Sequence, residues 1–161
     1  FEPNSDSGRV DIIVNGAKIG EQVRNETIGG YASQVAVYPK VRQALLKLQQ
    51  DMATQSGLVA DGRDMGTVVF PDADVKVYLT ASATARAERR VAQLLKAGQA
   101  ADFDAILATI KARDERDENR ATAPSKPAED ALVLDSSNLD ADAVYELVKK
   151  HCQDKGVCFN R

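Results

Sequence analysis

A chain of 161 residues, 43% of them hydrophobic, suits one domain with an apolar core and argues against disorder. Its net charge of −3 argues against a nonspecific nucleic-acid binder, which carries a basic surplus on at least one face. No apolar run approaches the ~20 residues of a membrane span and no signal-peptide pattern opens the chain, so the expectation is a soluble, cytoplasmic protein without membrane or nucleic-acid partners.

Val10 to Val14 alternates weakly and runs into Asn15-Gly16, a strong hairpin or turn signal. Glu21 to Asn25 and Thr27 to Val37 read as short helices. Pro39 then suits a first helical position, and Val41, Ala44, Leu45, Leu48 and Met52 recur on one face of the helix that follows. Leu58 to Ala60 reads as a buried-type strand, as does Val75 to Leu79. Ala83 to Lys96 is helical, with Gly98 as terminator, and Ala105 to Asn119 forms the next helix. Ala131 to Leu134 is a third short strand, and Val144, Leu147 and Val148 mark a closing helix. Strands alternating with helices predict an α/β fold, a mostly parallel sheet with helices on its faces. Neither repeats nor interdomain linkers interrupt the chain, so it reads as a single domain over 1–161.

The run Asp61-Gly62-Arg63-Asp64-Met65-Gly66 stops the Leu58 strand on two carboxylates, an arginine and two glycines. Open parallel sheets bind ligands just beyond the carboxyl ends of their strands. Arg63 offers a planar fork for phosphate or carboxylate, and the flanking aspartates can orient it or accept hydrogen bonds. A polar turn closed by a local ion pair is the competing reading.

On the Ala105 to Asn119 helix and just past it, Arg113, Arg116, Asp117 and Arg120 fall within about 100° of arc, while Asp114, Glu115 and Glu118 cluster elsewhere. Three arginines on one stripe repel unless an anion such as a phosphorylated ligand faces them; an accidental stripe on a solvated helix is the alternative. Ser33 and Arg42, taken alone, are ordinary surface residues. His151, Cys152 and Cys158 would need a fourth ligand to hold a metal, so no metal site is expected.

Four runs together resemble the bacterial cytidylate kinases: ASQVAVYPKVRQALL (Ala32 to Leu46), LVADGRDMGTVVFPDADVKVYLTAS (Leu58 to Ser82), IKARDERDENRATAP (Ile110 to Pro124) and ALVLDSS (Ala131 to Ser137). The likeness extends from roughly Arg9 to Leu147. It implies a P-loop nucleoside-monophosphate-kinase sheet with flanking helices and transfer of the γ-phosphoryl group of ATP, with Mg²⁺, to CMP or dCMP, in an enzyme that is monomeric when complete. By motif, Ser33, Arg42 and Asp64 resemble the groups that read cytosine. Arg63 and Arg120 resemble clamps on the α-phosphate, and Arg113 and Asp117 match the positions that hold the sugar. Arg116 and Arg89 would face the donor phosphates, with Arg116 and Arg120 as the catalytic pair. The same resemblance divides the chain into an acceptor-binding region at about 1–56, a core at about 57–93 and 120–150, and a lid at about 94–104.

The residues agree with that chemistry. Phosphoryl transfer asks mainly for positioning and positive charge, so arginines without a nucleophilic Ser, Cys or His are the expected inventory. A carboxylate at Asp64 can accept from the exocyclic amine of cytosine, where uracil presents a carbonyl instead.

One departure stands against these agreements. The family opens with a strand and a Gly-rich phosphate loop, but here Gly29-Gly30 precedes Tyr31, and Gly16-Ala17-Lys18 lacks the earlier glycine and the hydroxyl. In the family's sheet that strand lies between those at Leu58 to Ala60 and Val75 to Leu79, so these two are not expected to pair with each other. Phe1 is not an initiator and the first methionine is Met52, which points to a longer parent protein. Two expectations therefore stand: the acceptor and lid portion of a cytidylate kinase, inactive by itself, or a non-catalytic nucleotide- or partner-binding domain. A kinase for another nucleoside monophosphate is a further alternative.

Overall fold

The computed structural model describes residues 2–4, 9–19, 26–53 and 57–157. The helix expected over Glu21 to Asn25, and Cys158, lie outside these. Strands β1 (Glu2–Asn4) and β2 (Arg9–Asp11) pair antiparallel, as do β3 (Ile13–Val14) and β4 (Ala17–Lys18). The turn between β3 and β4 is the expected Asn15-Gly16, both at positive φ (52° and 79°), the conformation that matches the twist of a two-residue hairpin.

Two helices follow, α1 (Glu26–Val35) and α2 (Pro39–Gln50). Pro39 occupies the first turn of α2 after an extended Tyr38, where its missing N–H costs nothing. The apolar stripe read from the sequence lies on α2, but it is not covered. None of the helix's residues is buried, and Val41, Leu45 and Leu48 are 37%, 44% and 56% exposed.

Leu58 to Ala60, expected as a strand, forms no ladder among the described residues, and Val59 is 89% exposed. Apolarity made the run strand-like, but a strand exists only where a neighbour supplies hydrogen bonds. A single π-helical turn over Met65–Val69 follows; no sequence signal pointed to it. It starts at Asp64, whose carbonyl accepts the amides of Thr67, Val68 and Val69 at 3.4, 2.9 and 3.3 Å.

β5 (Val77–Thr80) pairs with β6 (Leu132–Asp135) in parallel, Val77 opposite Leu132 and Thr80 opposite Asp135. As expected, β5 does not pair with Leu58 to Ala60. Between β5 and β6 run α3 (Ala83–Lys96) and α4 (Phe103–Asn119), which pack on each other; α4 also packs on α1. Ser82 and Asp102 cap their N-termini through the amides of Ala85 and Ala105 at 3.1 and 3.0 Å, and Gly98 ends the first at φ 71°. The segment expected as a lid thus includes the end of α3, the connection 97–102 and the start of α4. α5 (Ala141–Asp154) begins at Asp140, whose carboxylate caps the Ala143 amide at 2.8 Å.

The apolar interior is thin. Among the described residues its buried members are Val69, Ala81, Ala87, Ile110 and Cys152. Four polar residues are buried beside them: Ser33, Asp64, Asp117 and Ser136. Buried polar groups persist when they are paired, and three of these four belong to one cluster.

Candidate active site

α1, α2, the 57–64 segment and α4 converge on two carboxylates. Asp117, 3% exposed, accepts from Ser33 Oγ at 2.7 Å and from Arg63 Nε at 3.1 Å. Arg113 Nε and Arg120 Nη1 stand 3.7 and 3.9 Å from its two oxygens. Asp64, 8% exposed, is paired with Arg42 from α2, while Arg120 Nη2 lies 3.9 Å away. Arg116 Nη1 donates to Ser33 Oγ at 3.0 Å.

Four guanidinium groups therefore share two carboxylates, and a fifth, that of Arg116, reaches Asp117 only through Ser33 Oγ. The side chain of Arg120 is only 5% exposed, and its Nη2 has no hydrogen-bond partner among the described residues; the Nε of Arg113 is in the same condition. A buried N–H donor without an acceptor costs about 1–3 kcal/mol, so this arrangement suits an anionic oxygen delivered by a ligand. The neighbouring loop is bent to serve it: Ala123 adopts φ 51°, unusual outside glycine, and its carbonyl accepts from Arg120 Nε.

Two cavities meet at this cluster. One, of about 440 Å³, holds Ser33, Arg42, Asp64, Asp117 and Arg120 against an apolar wall that includes Val35, Val41 and Leu45. The other, of about 490 Å³, presents Arg63, Arg86, Arg89, Arg90 and Arg113 with one carboxylate, Asp114. Arg63 and Arg113 line both.

The sequence-derived candidates Ser33, Arg42, Arg63, Asp64, Arg113, Asp117 and Arg120 thus come together. Arg116 joins them on the Ser33 side. Arg89 stands apart, its guanidinium bound to the carbonyls of Ser136 and Leu139 at the turn from β6 to α5 and to Ser136 Oγ at 3.3 Å.

Two further residues escaped the sequence reading. Asp114, placed on the opposite side of the α4 stripe, grips Arg86 of α3 through both oxygens, with Nη1 to Oδ1 at 2.9 Å, and holds that guanidinium pKa above its ordinary value. Gly29 packs on Arg113; a Cβ there would lie 2.8 Å from Nη1. A pair of glycines inside a helix was the available signal, because each costs about 1 kcal/mol unless close approach requires it.

The sequence model of the cytidylate kinase family matches residues 2–154. The chain belongs to that family. Among its relatives, the cytidylate kinase of Pasteurella multocida is 58% identical over 146 residues, 91% of this chain and 64% of its own length. That of Sodalis glossinidius is 49% identical over 148 residues, 92% and 65% respectively. Cytidylate kinase 1 of Haemophilus influenzae is 51% identical over 153 residues, 95% and 66%. The chain spans about two thirds of the length of these relatives. Cytidylate kinases have the P-loop nucleoside-monophosphate-kinase fold, and the parallel β5–β6 pair with its helical crossover is of that α/β kind. No helix among the described residues is long and apolar enough to cross a membrane.

Proposed function

We propose that the protein to which these residues belong transfers the γ-phosphoryl group of ATP to CMP or dCMP, and that this chain supplies its acceptor site. One observation carries the reading: a buried carboxylate paired with Arg42 stands in an apolar-walled cavity next to the unpaired donor of Arg120. Asp64 can accept from the amine of cytosine while Arg42 donates to a ring acceptor. Uracil would set a carbonyl against the same carboxylate. Ser33 belongs to this base-reading group, and Arg63 and Arg120 suit the acceptor phosphate. Arg113 and Asp117 suit the sugar.

The arginine-lined cavity suits donor phosphates, with Arg89 on its wall, and the arginines common to both cavities stand where the phosphoryl group would cross. Such a reaction needs positioned positive charge more than a nucleophile. Arg120, held next to both carboxylates, fits a clamp on the transferring group. Arg116 would have to leave Ser33 Oγ to reach the donor. The reading treats 1–161 as one domain, with about 1–56 binding the acceptor, about 57–93 and 120–150 as core, and about 94–104 as the lid. Mg²⁺ would arrive with ATP; among the described residues no three His, Cys, Asp or Glu side chains gather as a cation site. A monomeric cytoplasmic enzyme belongs to the same proposal.

The test is a coupled assay of ADP formation by the full-length protein with CMP, dCMP, UMP and AMP as acceptors. CMP and dCMP should be used in clear preference. Preference for UMP or AMP, or ADP formation that ignores the acceptor, would overturn the assignment.

A further inference from the structure

α2 carries Arg42 to Asp64, yet none of its residues is buried, so core packing does not set its axis. Side-chain hydrogen bonds must do more of that work. One tether is the Arg42–Asp64 pair itself. The other lies at the far end of the helix, where Gln50 Nε2 donates to the carbonyl of Val69 at 3.1 Å. The two tethers are eight residues apart, roughly 12 Å along a helix axis. A rod held at two points has a fixed line, whereas one held at a single point pivots.

Both tethers end on the same π-helical turn. Asp64 opens it and Val69 closes it, and the Val69 amide donates back to the Asp64 carbonyl at 3.3 Å. Val69 is 3% exposed, so Gln50 holds onto one of the few buried points of the described structure. We infer that Gln50 is a positioning residue for base selectivity: it fixes the angle at which α2 presents Arg42 to Asp64, although it touches neither. This inference rests on the reading in which Arg42 and Asp64 address the acceptor base.

The experiment compares Gln50→Met, of similar length but without a donor, with Gln50→Lys, which keeps a donor at similar reach, in the full-length protein. Losing the second tether should raise KM for CMP about three- to tenfold and shrink the preference for CMP over UMP by a similar factor, the scale of one ordinary hydrogen bond. KM for ATP should not move, and the lysine variant should stay within about twofold of the parent. Hydrogen exchange of the free protein supplies a readout that needs no substrate: α2 amides should exchange faster in Gln50→Met while α4 amides keep their protection. An unchanged CMP-to-UMP ratio, equal rises in KM for CMP and ATP, a lysine variant as impaired as the methionine one, or unchanged α2 exchange would each overturn the inference. If the parent protein uses no CMP, the functional reading falls, and the exchange comparison still decides whether Gln50 tethers α2.

Discussion

At the scale of single residues, the site is a contest between two buried carboxylates and the arginines around them. Asp64 is the sharper case, because among the described residues only Arg42 and Arg120 face it while Asp117 also has Ser33 and Arg63. Replacing Asp64 by Ala or Asn should weaken CMP and dCMP by about tenfold to a hundredfold in the full-length protein, the scale of one charge-assisted hydrogen bond, with little effect on ATP. Separate titrations of acceptor and donor check this, and equal losses for both would make Asp64 structural. Gly29 offers a subtler test. Alanine inside a helix is favoured by about 1 kcal/mol over glycine, but its Cβ would stand 2.8 Å from Arg113 Nη1 and push the guanidinium aside. Gly29→Ala should therefore keep or raise Tm while raising KM for the acceptor several-fold; unchanged acceptor kinetics would show that Arg113 yields without consequence. These residues were unequally legible in the sequence. Asp64, Arg63 and the α4 stripe declare themselves because charge in an unusual arrangement is visible in one dimension. Ser33 and Arg42 looked ordinary until a family pattern singled them out, and Gly29 carries no chemistry at all, only the room it leaves.

At the scale of elements, local rules held where the chain satisfies its own backbone. The Asn15-Gly16 hairpin and the Gly98 stop are each decided within a few residues, and each stands where the sequence placed it. Leu58 to Ala60 and the α2 stripe show the opposite case. A strand and an apolar face both require something elsewhere to pair with or pack on, and sequence periodicity reports only the demand. The π-helical turn after Asp64 was invisible for a related reason: its amides converge on one carbonyl in an arrangement no propensity scale describes. The contact between α3 and α4 is testable at this scale. Arg86 donates to Asp114 through both terminal nitrogens and to the Ala81 carbonyl through Nε at 3.0 Å, so one side chain joins α4, α3 and the end of β5. Both partners are partly exposed, 32% and 25%, which reduces the strength of the pair below that of a dry one. Asp114→Ala should cost about 1–2 kcal/mol of stability, seen as a lower midpoint in urea with an unchanged slope. A midpoint within error of the parent would show that solvent replaces the carboxylate without loss.

For the whole molecule, the decisive feature is that two cavities share Arg63 and Arg113, so charge placed for one ligand also acts on the other. Under the proposed function, the Arg42–Asp64 pair and the unpaired arginine donors beside it should let the 161-residue polypeptide bind CMP or inorganic phosphate by itself, weakly. Because guanidinium charge dominates and the cavities open to solvent, affinity should fall as salt rises from 50 to 500 mM, conditions under which the screening length contracts from about 14 to about 4 Å. The donor side is different. Its arginines can attract a triphosphate, but the sequence contains no Gly-rich loop to cradle the β- and γ-phosphates with backbone amides and a lysine. Losing one preorganised electrostatic group of that kind typically costs about 10² to 10³ in rate, and here several are lost together. Binding and turnover should thus separate: calorimetry should detect salt-sensitive CMP binding, while a coupled assay on homogeneous 161-residue material, its mass verified, should detect no CDP. ATP-dependent CDP formation at an ordinary kinase rate would overturn the division of labour between the cavities, and CMP binding indifferent to salt would remove the arginine cluster from acceptor recognition.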